Sequence, residues 1–126
     1  MHLQNQSLLR STAFLGGKWI AADGGAGIAV RDPVDGSPLA EVADCGAAET
    51  QRAIAAADAA LPAWRGQTGK QRSQVLQRWF ALINRNAEDL ARLITAEGGK
   101  PLAEARGEVA YGASFVEWFA EEGKRT

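Results

Sequence analysis

One cysteine, one histidine, a glycine cluster and three neighbouring glutamates are the groups in this 126-residue chain whose chemistry could serve a site. A nucleophilic Cys45 would need a base, or a thiol pKa lowered by a histidine, a helix N-terminus or a metal. Gly46 and the helix expected after it could supply a dipole. The single histidine, His2, sits far away in the terminus, so a strand-end filler is the simpler reading of Cys45. His2 alone cannot build a metal site. Gly24-Gly25-Ala26-Gly27 invites a phosphate-loop reading, yet nucleotide fingerprints need a preceding buried strand and a following helix, and strand signals follow here. Glu97, Glu104 and Glu108 lie close in sequence, and the last two share a helix face at i, i+4 spacing. Lys100 one turn before Glu104, with Arg106 close by, suggests a solvated charged face. An acid/base pair, the alternative, would need surroundings that drive two carboxyl pKa values apart. These residues yield no catalytic, cofactor-binding or metal set, and no self-contained active site.

The elements around them change period once. Up to residue 45 the pattern is short, branched and glycine-punctuated: Phe14-Leu15-Gly16-Gly17-Lys18-Trp19-Ile20, then Ile28-Ala29-Val30-Arg31, then Leu39-Ala40-Glu41-Val42-Ala43. Gly16-Gly17 suits a two-residue hairpin turn, because glycine reaches positive φ without a Cβ clash. Asp32-Pro33-Val34-Asp35-Gly36 supplies a second reversal, linking residues 28–32 to 38–44. After Gly46 the apolar residues recur at helical spacing, first in an alanine-rich segment (Ala53, Ile54, Ala57, Ala60, Leu61, Trp64). Thr68-Gly69-Lys70-Gln71 fits a capping box that opens a second helix. Asn86, with Asp89 three residues on, can cap a third, which Gly98-Gly99 stops. Pro101 is placed as the first residue of a fourth helix over about residues 101–122, with Lys124 and Arg125 favourable at its far end.

Composition excludes several function classes. Fourteen basic and fifteen acidic residues give a formal charge of -1, so no basic surface calls for nucleic acid. No apolar run reaches the ~20 residues that cross a bilayer, so no membrane partner is expected. A lone cysteine closes no internal disulfide, and residues 1–6 lack an export signal, which makes a cytoplasmic location the expectation. The fourth helix is apolar over an unusual width. Leu102, Ala105, Val109, Val116 and Phe119 form a stripe, and Tyr111, Phe115 and Trp118 widen it, so a second body is expected to pack there.

Three stretches carry a resemblance. They are Asp32 to Gly36 with Leu61-Pro62-Ala63-Trp64-Arg65, the segment over residues 95–109, and Ala113-Ser114-Phe115-Val116-Glu117-Trp118-Phe119-Ala120-Glu121-Glu122-Gly123-Lys124-Arg125. Together they resemble the aldehyde dehydrogenase superfamily, and the last, after Gly99-Lys100-Pro101-Leu102-Ala103-Glu104-Ala105, is similar to its bacterial NAD(P)-dependent succinate-semialdehyde dehydrogenases. The resemblance runs from about residue 13 onward. It implies an α+β fragment, two N-terminal β-hairpins followed by about four helices, which opens the α/β cofactor-binding domain of that fold. Residues 1–12 would be a flexible N-terminus and 13–126 an incomplete N-terminal part of the domain.

The implied reaction oxidises succinate semialdehyde to succinate at the end of 4-aminobutyrate degradation, using NAD or NADP. A cysteine thiolate, a hydride acceptor and a glutamate-activated water do the work. None of those groups maps onto this chain. Cys45 does not match the family nucleophile, which stands in a Gly-Gln-Thr-Cys type context further along. The chain alone is therefore expected to be inactive and to bind no nicotinamide cofactor. Its expected partner is the remainder of the dehydrogenase chain or another subunit, in a homo-oligomeric parent. The fourth helix resembles the one lining the aldehyde entry tunnel, which transfers a substrate-tunnel role to Gly107 and Tyr111 alone; for Tyr111, simple packing remains the alternative. A non-catalytic helical scaffold or partner-binding remnant is the other reading of the whole chain.

Overall fold

The computed structural model describes residues 1–125 as two small antiparallel sheets beside four helices. Strand β1 (Ala13–Leu15) pairs with β2 (Lys18–Ile20), and the turn between them is Gly16-Gly17 at φ 56° and 83°. Both turn residues need the left-handed region that a type I′ hairpin demands, and glycine enters it without strain. The cross-strand pair Phe14 and Trp19 meets edge to face at 5.2 Å, with Arg10 stacked 4.6 Å above the Trp19 ring. Strand β3 (Gly27–Arg31) pairs with β4 (Pro38–Ala43), and the register slips between Val30 and Arg31. Their turn is built as the sequence dictates. The Asp32 carboxylate accepts from Val34 N–H at 2.8 Å, and Gly36 exits at φ 74°.

Helices α1 (Ala47–Arg65), α2 (Gly69–Arg85), α3 (Ala87–Gly98) and α4 (Leu102–Glu122) follow. The Thr68 capping box forms as the sequence predicts, with the hydroxyl accepting from Gln71 N–H. Gly99 ends α3 at φ 69°, and a Cβ there would meet Pro33 Cγ at 3.0 Å, so the second hairpin's turn rests against the end of α3. Pro101 stands one position earlier than the sequence suggests. It caps α4 from outside, its carbonyl accepting from Glu104 and Ala105 N–H, and the helix proper starts at Leu102.

The core is made of small residues. Ala91, Ala105 and Val109 are buried where α3 crosses α4, flanked by Ile83, Leu90, Ile94 and Leu102. Ala113 and Ala120 are buried further along α4. Small side chains let helix axes approach, at the expense of apolar volume, and among the described residues no large side chain is fully buried. The α2 and α4 helices run antiparallel. A Cβ on Gly69 would lie 2.5 Å from Gly123 O, and Gln77 bonds Glu121 across the pair.

Several expectations change at the level of side chains. Phe119, placed by periodicity on the buried stripe, is 60% exposed, because Ala113 and Ala120 take the positions facing α2. Asp89 does not cap α3. Its carboxylate accepts from Gln4 N–H at 3.0 Å and Asn5 N–H at 2.8 Å, while the Asn86 amide donates to Leu82 O. The terminal segment before β1 has a buried Leu3 and a 3-10 turn over Gln6–Leu8.

Candidate functional site

Cys45 lies between β4 and α1, half-buried, one residue before the helix cap Gly46. The N-terminus of that helix is already occupied. Glu49 accepts from Gly46 N–H at 3.0 Å through one oxygen and from Asp23 N–H at 2.8 Å through the other. The bond from Asp23 N–H is the main cause that holds the Glu49 carboxyl below its usual pKa. The Arg52 guanidinium nearby is clamped on Asp23 by two 2.7 Å bonds. His2 lines a separate cavity between α3 and the second hairpin, in which Cys45 has no part. No thiol–imidazole pair is brought together.

The three glutamates do not form an acid/base pair. Glu97, Glu104 and Glu108 are all exposed, and Glu108 is paired with Lys100. Arg106 turns to α3, where it grips Glu88 through two bonds of 2.8 and 2.9 Å. That grip lowers the Glu88 pKa, and Arg92 one turn along adds a 3.2 Å contact. Charge balance is thus as the sequence suggests, though the partners differ, because helix crossing brings Glu88 nearer to Arg106 than local spacing alone reveals.

Gly107 and Tyr111 share one exposed face of α4. Tyr111 is 68% exposed and meets Phe115 edge to face at 4.8 Å. Trp118 and Phe119 extend the face into an open depression bordered by Ser114, Glu117 and Glu121. Gly107 has no heavy atom within 4 Å of where a Cβ would be. A mid-helix glycine costs about 1 kcal/mol relative to alanine, and none of the described residues uses the space it leaves.

Residues 19–126 match the aldehyde dehydrogenase family. The chain belongs to that family. It is 56% identical over 125 residues to the glutarate-semialdehyde dehydrogenase of Pseudomonas putida, covering 99% of this chain and 26% of the relative. It is 52% identical to the NADP(+) succinate-semialdehyde dehydrogenase of Escherichia coli (strain K12), with the same coverage. The crystal structure of succinate-semialdehyde dehydrogenase from Burkholderia pseudomallei superposes with a TM-score of 0.95 at 56% identity, over 98% of this chain and 26% of that one. The chain thus spans about a quarter of the length of these relatives.

Neither feature of this aldehyde dehydrogenase segment that the sequence offers for a phosphate has the geometry to cradle one. Gly24 to Gly27 lead into strand β3 instead of a helix, and the α1 N-terminus is filled by the Glu49 carboxylate. Among the described residues no group of three or more His, Cys, Asp or Glu could hold a metal, and no helix is long and apolar enough to cross a membrane. The carboxylates that matter structurally, Glu49 and Asp89, were not legible as such. Glu49 falls off the apolar face of its helix and Asp89 suggests a local cap with Asn86, and only the folded neighbours reveal the two backbone partners of each.

Proposed function

We propose that this chain is the N-terminal part of a cytoplasmic NAD(P)-dependent semialdehyde dehydrogenase. The enzyme oxidises an aldehyde that carries a distant carboxylate, succinate semialdehyde or its one-carbon-longer homologue glutarate semialdehyde. The observation that carries this reading is the joint match of sequence and shape, 56% identity with a TM-score of 0.95 against one succinate-semialdehyde dehydrogenase. The succinate substrate would place the enzyme at the end of 4-aminobutyrate degradation. In this reading the segment contributes no catalytic group and no cofactor contact. Its contribution is a wall: the α4 face around Gly107 and Tyr111 borders the path of the aldehyde. The bare aromatic surface over Tyr111, Phe115, Trp118 and Phe119 is covered by the rest of the dehydrogenase chain or by another subunit.

A matched pair of assays tests this. The 126-residue chain, given succinate or glutarate semialdehyde with NAD+ or NADP+, should form no reduced cofactor. The same residues joined in frame to the remaining three quarters of the Pseudomonas putida relative should turn over. A folded chimera without activity would overturn the proposal and favour the helical scaffold, and turnover by the chain alone, abolished by Cys45→Ala, would overturn it from the other side.

A further inference from the structure

Outside that face, the least expected packing is at the N-terminus. Leu3 is 3% exposed, and the next two residues donate their backbone N–H groups to the two oxygens of one carboxylate, Asp89, which is itself 4% exposed. Asn5 adds a side-chain bond to Asn86 at 3.1 Å, so the whole attachment falls on the first turn of α3. Beyond Asn5 the segment bonds mostly to itself. Leu8 and Leu9 donate to Asn5 and Gln6 carbonyls, and Gln6 donates back to Leu3 O. The next backbone bond to the body is Ala43 N–H to Ser11 O. A segment with one anchor at its start, a self-contained turn and a separate anchor at its end has the construction of a strap. Its first two residues, Met1 and His2, form one wall of a cavity of about 350 Å³, whose other walls include Asp32, Leu39, Arg92 and Thr95.

We propose that residues 1–9 are a strap latched to α3 by Asp89 and anchored by the buried Leu3, which opens as a unit about Leu9 to Ser11 and takes one wall of that open cleft with it. Asp89 supplies both of the backbone bonds in the latch, so one substitution weakens it most, leaving the Asn5–Asn86 bond and the burial of Leu3. In Asp89→Asn one of the two accepting oxygens becomes an NH2 donor facing an N–H donor, while size and shape are kept. Loss of a charged hydrogen bond of this kind should speed opening about tenfold or more.

NMR-detected amide exchange on the full chain, tagged only at its C-terminus, decides the matter. In Asp89→Asn the amides of Gln4 and Asn5 should exchange about tenfold faster, while those of Val109 and Ala113 in α4 keep their wild-type rates. Leu3→Ala should give the same local pattern, and it decides the question alone if the Asp89 variant does not fold. Unchanged exchange at Gln4 and Asn5 in either folded variant would overturn the strap. Equal acceleration at Val109 and Ala113 would do so as well, since the substitution would then loosen the helical body as a whole and not the strap.

Discussion

The α1 and α4 helices are of similar length and both rich in alanine, yet they live in different environments. On α4, Ala105, Ala113 and Ala120 are buried against α3 and α2. On α1, Glu49 is the one residue that is buried, and Ile54 and Leu61 stand 64% and 51% exposed. An alanine stripe therefore says only that a close neighbour is accommodated, not where that neighbour comes from. For α4 one side is supplied from within the chain. For α1, and for the aromatic side of α4, the neighbour belongs to a larger body in the proposed enzyme. The difference is testable by adding volume. Ala120→Leu should destabilise the chain by about 1–3 kcal/mol, whereas Ala55→Leu on α1 should stay within about 0.5 kcal/mol. Thermal denaturation of both variants checks it, and equal losses would erase the distinction.

Acid should affect the two regions through different carboxylates. Asp89 ties the N-terminal segment to α3, and Glu49 ties the start of α1 to Asp23, each with its pKa lowered by the backbone N–H groups it accepts. Around Asp89, Arg92 reinforces this lowering and Glu88 opposes it. A carboxyl whose pKa is lower when folded contributes stability above its unfolded pKa of about 4, and that contribution is lost as pH falls through the folded value. Stability should therefore decline below about pH 4. Asp89→Asn should flatten part of that decline, and an acid limb of unchanged steepness in the variant would contradict the role given to Asp89.

A smaller effect separates the two helix starts. Thr68 caps α2 with its hydroxyl, so Thr68→Ala should destabilise by about 1 kcal/mol in urea denaturation. The α1 start has no such side-chain oxygen at its cap, Gly46, and relies on Glu49 three residues in. Thr68→Ala should therefore leave α1 protection in hydrogen exchange unaltered. Fraying of both helices together would show that they are coupled more tightly than their sparse packing suggests.

How much of this was readable follows from how local each cause is. The Gly16-Gly17 turn, the Asp32 to Gly36 reversal and the Thr68 capping box depend on four or five adjacent residues, and the structure contains all three. Asp89 was misread because its partners, Gln4 and Asn5, are remote in sequence, and Asn86 three residues before it offered a plausible local use. Phe119 was misplaced for a related reason. Periodicity identifies an apolar face, but which edge of a wide face meets the neighbour is set by the small residues that allow close approach, Ala113 and Ala120. Family membership was legible in residues 95–125 because that order is specific, whereas a tunnel role for Gly107 and Tyr111 rests on resemblance and on an open surface.

Gly107 gives the finest test of the comparison. Within this chain it is a helix-interior glycine with open space where a Cβ would be, so Gly107→Ala should stabilise the isolated chain by up to about 1 kcal/mol. In the joined-up dehydrogenase the same methyl would project into the proposed aldehyde path. There it should raise KM for the semialdehyde, or lower turnover, even though the segment itself is firmer. A gain in stability with unchanged kinetics would leave the tunnel assignment without support, since the empty space would then serve neither packing nor substrate. A loss of stability in the isolated chain would mean that the fold around α4 is tighter than described, and would return Gly107 to a purely structural role.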